Sequence, residues 1–302
     1  MKKNRGMMIA FLTPAVLTYL MVFAYPTIRT IIMSLFKVEG VSDPVSTWSF
    51  NGLQNFITIF HTPLFIQSLK NIGRIWLIGG ASVMLLALVF AVILTSGVRL
   101  KSFFRSAIYL PNVVSAVAMA TMWMNYVYNS EFGLFNKIFA FLGFEKLATT
   151  PWTGPDMIFW SMLIAYSFGM VGYHMLIFMS GIERIPVDFY EAATIEGANV
   201  WQRFASITLP LLRGVIRTNL VMWTVTTVNF FVWSQLFSPV NLSNGTVTPV
   251  AYMYEMVFGA SSSAVTVRDT GAGAAIGVLM TLAVVLVFLG TNFIVKNDDV
   301  EL

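Results

Sequence analysis

Cysteine is absent from the 302 residues, which excludes disulfides, thiolate metal sites and cysteine nucleophiles together. Charge is scarce: Asp, Glu, Lys and Arg make up 11% of the chain, where soluble domains carry roughly a quarter. Histidine occurs twice, at His61 and His174, with no second ligand at metal spacing, so a structural role is expected for each. No G-x-x-x-x-G-K-[ST] phosphate loop, H-E-x-x-H or G-x-S-x-G is present, nor a carboxylate pair inside an apolar run. Hydrophobic residues fill the space, at 57% with a mean hydropathy of +0.76. Lipid is the solvent for such a composition, and this length supplies about six spans of about 20 residues each with short connections. The expectation is an all-α, polytopic membrane protein forming one domain over residues 1–302, with no soluble catalytic domain beside the spans.

The apolar runs place spans at Met7–Phe36, Asn71–Ser96, Phe104–Tyr128, Met157–Gly181, Gly214–Ser238 and Gly271–Val295. The first run follows Lys2, Lys3 and Arg5 but is too long for a secretory leader and lacks a convincing small-residue cleavage site, so it reads as a retained anchor. Pro14 and Pro26 inside it are tolerable where neighbouring helices satisfy freed backbone groups. With the N-terminus inside, Lys and Arg concentrate on the cytoplasmic pieces, around residues 2–5, 99–105 and 184–217, while the outer pieces hold fewer. Both termini are therefore expected in the cytoplasm. The outer segments Lys37–Lys70, Asn129–Asp156 and Pro239–Thr270 mix Gly, Ser, Thr, Asn and Pro with aromatics, as short interfacial helices and lids do.

One cytoplasmic stretch is too polar for lipid and too regular for a plain connector: IERIPVDFYEAATIEGANVWQRFASITLPLLRG, from Ile182 to Gly214. Pro186 suits the first turn of a helix, Asp188 and Glu191 its positive end, and Phe189, Ala192, Ala193 and Ile195 form an apolar side. Gly197 breaks this helix, and Asn199 caps a second whose Trp201, Phe204, Ala205 and Thr208 share a face before Pro210 leads into span five. From the residues alone the result is either a rigid, bent knob or an amphipathic loop on the inner leaflet held by Trp201 and Arg203.

The string E-A-A-x-x-E-G-A at Glu191–Ala198, followed by Phe204, Ile207, Leu209, Pro210 and Leu211, resembles the EAA motif of binding-protein-dependent ABC importers. Likeness extends to the sugar permeases of the maltose, lactose, multiple-sugar and glycerol-phosphate type. It is carried by Leu12–Phe36, Phe50–Phe60, Phe103–Met119 and Phe132–Phe139, which are similar to the first member of a permease pair. Glu196 stands where the family more often has Asp, and Arg213-Gly214 replaces a common Pro. The resemblance implies the type I importer permease fold in a bacterial plasma (inner) membrane. It also implies a heterodimer with a second permease, two cytoplasmic ATPase subunits that use ATP and magnesium, and an external solute-binding protein. This chain would then be a non-catalytic subunit with no cofactor of its own. Its coupling residues would be Glu191, Ala192, Ala193, Glu196, Gly197, Ala198, Phe204 and Pro210, with Glu191 fixing the knob through charge-assisted hydrogen bonds and Gly197 permitting the chain reversal.

The bodies of spans three to six carry no charge, which suits a neutral solute moved by an external energy source better than an ion-coupled carrier. Aromatic and neutral polar side chains, well matched to a pyranose ring and its hydroxyls, replace it. The same residues also suit interfacial belts and interhelical contacts. By resemblance the sugar site lies on the helices flanking the EAA loop; distance from Glu191 selects Tyr166, Met170, Tyr173, Trp223, Thr227, Asn229 and Phe230. The remaining alternatives are glycerol phosphate or another polar solute on the same machine, and a secondary carrier or channel. Gly273 and Gly277 form a G-x-x-x-G suited to close helix packing.

Overall fold

The computed structural model describes residues 5–238, 242–259 and 268–294. Lys2 and Lys3, part of the charge bias that orients the chain, and Val295, the expected end of span six, lie outside the described residues. Helix α1 (Met7–Met33) runs unbroken through Pro14, and its ladder widens to a π turn at Leu20–Ala24 just before Pro26, whose nitrogen cannot donate. Strands β1 (Phe36–Lys37) and β2 (Ser49–Phe50) pair antiparallel, Phe36 opposite Phe50. There follow α2 (Gln54–His61), α3 (Pro63–Thr95), α4 (Lys101–Val113), α5 (Ala116–Val127), α6 (Leu134–Phe141) and α7 (Ile158–Ile182). Then come α8 (Val187–Ile195), α9 (Val200–Arg203), α10 (Arg213–Val228), α11 (Val232–Phe237), α12 (Pro249–Phe258) and α13 (Thr270–Phe293).

Among the described residues, four helices, α1, α3, α7 and α13, are long and apolar enough to cross a membrane. Two expected spans are not continuous helices. Span three is the pair α4 and α5, bent by 97°. Pro111 removes a donor near the end of α4, Val114 is extended, and Ser115 restarts the helix by accepting the Ala118 N–H at 3.3 Å. Span five divides at Asn229–Phe231 into α10 and α11. Thr218, Asn219, Thr224, Thr226, Thr227 and Asn229 lie along α10 and the break, so this segment is also less apolar than a typical span.

Contacts within the chain fall into two compact units, one formed by Met1–Ile66 with Tyr252–Leu282, the other by Gln67–Ala251 with Ala283–Leu302. In the first, Asn55 donates its amide to the carbonyls of Ser34 and Phe36 at 2.9 and 2.8 Å, and Gly271 N–H donates to Val38 at 3.1 Å. A Cβ at Gly271 would lie 2.2 Å from the Phe36 carbonyl, so only glycine permits this approach. Gly273 of the G-x-x-x-G lets α13 close on α12, where a Cβ would lie 2.5 Å from Val257. Arg29 lies 5.7 Å over the Trp48 ring.

In the second unit α7 is central. It is apolar all round and packs against α3, α4 and α10, while Trp160, Ile164 and Phe168 stay exposed on its remaining face. Gly172 admits α4: a Cβ there would sit 2.3 Å from the Ile108 carbonyl. At one end a ring cluster of Trp123, Tyr128, Phe135, Phe139 and Trp152 ties α6 to the spans, with Trp152 stacked on Phe139 at 5.7 Å.

Candidate functional site

The knob forms between α7 and α10. Pro186 stands just before α8 with ψ 135°, so the helix starts at Val187 rather than at the proline, with Asp188 in its first turn. At the other end Ala198 N–H donates to Ala193 at 2.8 Å and Gly197 N–H to Thr194 at 3.0 Å, the paired bonds of a Schellman turn. That turn needs a left-handed residue, and Gly197 supplies φ +80°. Asn199 then caps α9 in a reciprocal box: its Oδ1 accepts Gln202 N–H at 2.9 Å, while its own N–H donates to Gln202 Oε1 at 2.8 Å.

Cross-braces join the two arms. Arg203 Nη1 donates to Thr194 Oγ1 at 3.0 Å, and the Tyr190 and Thr208 hydroxyls meet at 2.9 Å. Glu191 is exposed and makes no hydrogen bond or ion pair among the described residues, so the bracing expected from it comes from these polar side chains instead. Its carboxylate points to solvent beside exposed Ala192 and Glu196, with Ala193 and Ala198 half-buried. Trp201 lies over half-buried Phe204, ring centroids 5.5 Å apart. Pro210 sits in a single turn, Leu209–Leu211, between the π turn Phe204–Thr208 and α10. The tip is apolar and bare: Ile195 is 87% exposed and Trp201 73%. Behind it a cavity of about 570 Å³ separates the knob from the ends of α3 and α7, bordered by Thr95, Ser96, Ile182 and Tyr190. Lys101 Nζ reaches Glu183 Oε1 at 2.6 Å and ties the start of α4 to the root of the knob.

The seven residues selected for a solute path do not share one surface. Asn229 is exposed at the break in span five, and Met170 and Tyr173 are half-buried on α7. Tyr166, Trp223, Thr227 and Phe230 are buried. Tyr166 packs on Phe230 at 4.7 Å and Trp223 at 5.5 Å; its hydroxyl faces Thr226 and Thr227 without closing a hydrogen bond. Trp223 wedges over Gly79 and Gly80, donates its indole N–H to the Trp76 carbonyl at 2.9 Å, and sits beside Thr224, which accepts the Trp76 indole at 2.8 Å. That carbonyl lies in a π turn, Ile75–Gly79, where α3 is locally widened.

His174 is fully buried, its Nδ1 2.7 Å from Asn219 Oδ1, and His61 Nδ1 bonds within its own helix to Ile57 at 2.8 Å. Residues missed from sequence cluster at the two breaks. Asn112 donates to the Gly169 carbonyl at 3.2 Å beside the bend at Ser115, and Thr248 donates to the Phe230 carbonyl at 2.8 Å. The Pro111-Asn112 pair followed by a capping serine was the readable signal for the first; the second has none, because its partners are 18 residues apart.

Residues 83–297 match the family model described as the inner membrane component of binding-protein-dependent transport systems. A probable ABC transporter permease of Pyrococcus horikoshii is 30% identical, aligned over 93% of this chain and 94% of its own length. The arabinooligosaccharides transport system permease AraP of Halalkalibacterium halodurans is 28% identical over 91% of this chain and 83% of its own. The lactose transport system permease LacF of Rhizobium radiobacter is 28% identical over 82% of each. In fold, the chain is similar to one from a crystallised bacterial ABC transporter that imports the acidic polysaccharide alginate, with a TM-score of 0.80, 18% identity, and coverage of 98% and 97%.

Proposed function

The chain belongs to the inner-membrane components of binding-protein-dependent transport systems, and from that membership we propose that it is the permease subunit through which an ATP-driven importer moves a sugar or oligosaccharide by alternating access. The observation that carries the coupling half of this reading is the knob: a braced two-helix projection with a bare apolar tip, in a chain that has no phosphate loop. A rigid projection of this kind suits a groove on a cytoplasmic ATPase subunit. Because a ligand or subunit shifts a conformational equilibrium only through differential affinity, ATPase closure has to displace the knob as one body. The Schellman turn, the capping box and the Arg203–Thr194 brace supply that stiffness. Glu191, Ala192, Glu196 and Gly197 then face the partner, Ala193, Ala198 and Phe204 shape the turn, and Pro210 ends the segment.

The assembly we propose contains a second permease, two ATPase subunits holding ATP and magnesium, and an external binding protein, with six crossings and both termini in the cytoplasm of a bacterial inner membrane. The sugar reading is supported by the named substrates of the relatives, arabinooligosaccharides and lactose. For the path we assign contact with the solute to Asn229, Tyr173 and Met170, a choice supported by their full or partial exposure, and a packing role behind them to Tyr166, Trp223, Thr227 and Phe230, which are buried. The test is co-purification of ATPase subunits with the tagged chain, followed by uptake of lactose, an arabinooligosaccharide and glycerol phosphate into liposomes holding the complex. Recovery without an ATPase, or uptake that does not require ATP, sinks the reading.

A further inference from the structure

Residues 243–248 form an outer loop that behaves as part of the core. Thr246, Val247 and Thr248 are fully buried. Asn71, itself buried at the head of α3, donates one amide group to two loop carbonyls, Asn244 and Val247, both at 2.9 Å. Gln67 adds bonds to Asn71 Oδ1 at 3.0 Å and to the Asn244 carbonyl at 3.3 Å. Ser234 donates to the Thr246 carbonyl, and the Ser238 and Thr246 hydroxyls are bonded to each other. Gly245 seats against α7, where a Cβ would lie 2.6 Å from Ile158. So dense a set of bonds on a loop with a single function of connecting two helices is not required by connectivity. It does have a consequence at the break in span five. The Phe230 carbonyl there lies outside both α10 and α11, and the Thr248 hydroxyl closes it at 2.8 Å.

We propose that residues 243–248 are a strap that sets the orientation of the Asn229–Phe231 turn at the solute path, with Thr248 as the positioning residue and Asn71 as its anchor. The inference rests on the path reading above and names what fixes its specificity. Asn229 is exposed on a turn whose Phe231 carbonyl accepts the Gln235 N–H at 3.0 Å as the first bond of α11, while the intervening Phe230 carbonyl is taken by Thr248, so the strap bears directly on the orientation Asn229 offers a sugar hydroxyl. Thr248 acts from behind that turn through the Phe230 carbonyl.

The absence of cysteine makes the test direct, since Asn229→Cys accepts a single nitroxide in the full-length chain reconstituted in liposomes. Thr248→Val should free the turn and sharpen the spectrum at position 229, and Thr248→Ser should restore the original line shape. A nitroxide at Val225, inside α10, should not respond to either. Unchanged spectra at 229, or equal changes at 225, overturn the proposal. Should Thr248→Val fail to insert, Asn71→Asp, which loses the amide donor, carries the same expectation. In the complete importer, Thr248→Val should raise the half-saturation constant for the transported sugar about tenfold, the size of one lost buried hydrogen bond, with maximal rate little changed. The spin-label readout needs no solute. A spectral change with no shift in half-saturation for either Thr248→Val or Asn229→Ala therefore removes the path reading and leaves the strap; a shift for Asn229→Ala alone removes the strap.

Discussion

Gly80→Ala puts a methyl group into the slot that Trp223 occupies. The added Cβ would lie 2.6 Å from Trp223 Nε1 and 3.1 Å from Cδ1. The indole has little room to move, because Trp223 is fully buried, its N–H is bonded to the Trp76 carbonyl, and Leu163 lies across neighbouring Gly79. Overpacking of this kind costs about 1–3 kcal/mol. Breaking the indole bond adds roughly 1–3 kcal/mol for a buried donor left unpaired. Exchanging a helical glycine for alanine returns about 1 kcal/mol. The net loss is therefore about 1–5 kcal/mol, read as a lower unfolding midpoint in lipid nanodiscs. Trp223→Phe removes both the N–H and the pyrrole edge that the methyl would strike, so adding Gly80→Ala to that background should cost little. The double-mutant cycle should show a coupling of about 1–5 kcal/mol, nearly the whole cost of the single substitution. An equal cost of Gly80→Ala in both backgrounds would refute the wedge. Trp223→Phe should also leave the range of transported sugars unchanged, as expected of a wall residue.

At Gly197 the Cβ position is open, so the cost of a side chain comes from φ +80° alone. Uptake should fall in the order Asn, Ala, Val at this position, with about 1–2 kcal/mol of backbone strain for alanine and insertion unaffected; equal uptake by all three would contradict the turn. Asn199→Ala removes the reciprocal cap and should cost about 1 kcal/mol, seen as faster proteolysis between residues 196 and 202 and lower solute-stimulated ATPase activity in the complex. Glu183→Gln breaks an ion pair whose partners are both substantially exposed, and the change in unfolding midpoint should correspond to less than about 1 kcal/mol; a larger loss would mean the root of the knob is more tightly held than its geometry implies.

The EAA-like segment was readable because its order is local. Gly197, Asn199 and Gln202 act on backbone groups within a few residues, and turn and cap chemistry of that range is written in consecutive positions. Glu191 shows the limit: its charge suggested an internal brace, yet the bonds that hold the arms together join Tyr190 to Thr208 and Thr194 to Arg203, pairs set by how the two helices fold back. Four of the six expected spans stand as long apolar helices, α1, α3, α7 and α13, but an apolar run looks alike whether it is straight or bent. The bend at Ser115 and the gap at Asn229–Phe231 depend on which helices pass beside them, Gly172 giving room to α4 and Thr248 closing the Phe230 carbonyl.

By itself, the sequence determined that lipid is the main solvent, that chemistry by thiols or a phosphate loop is excluded, and that a capped two-helix projection interrupts the spans. Each follows from composition or from interactions a few residues long. Tertiary structure alone decided which aromatic and polar side chains are buried and which are exposed. Tyr166, Trp223, Thr227 and Phe230 became buried packing while Asn229 stayed exposed. Spacing along one helix cannot carry that distinction, because burial is set by neighbours far away in the chain, as Gly79 and Gly80 are from Trp223 and Asn71 is from the loop it anchors.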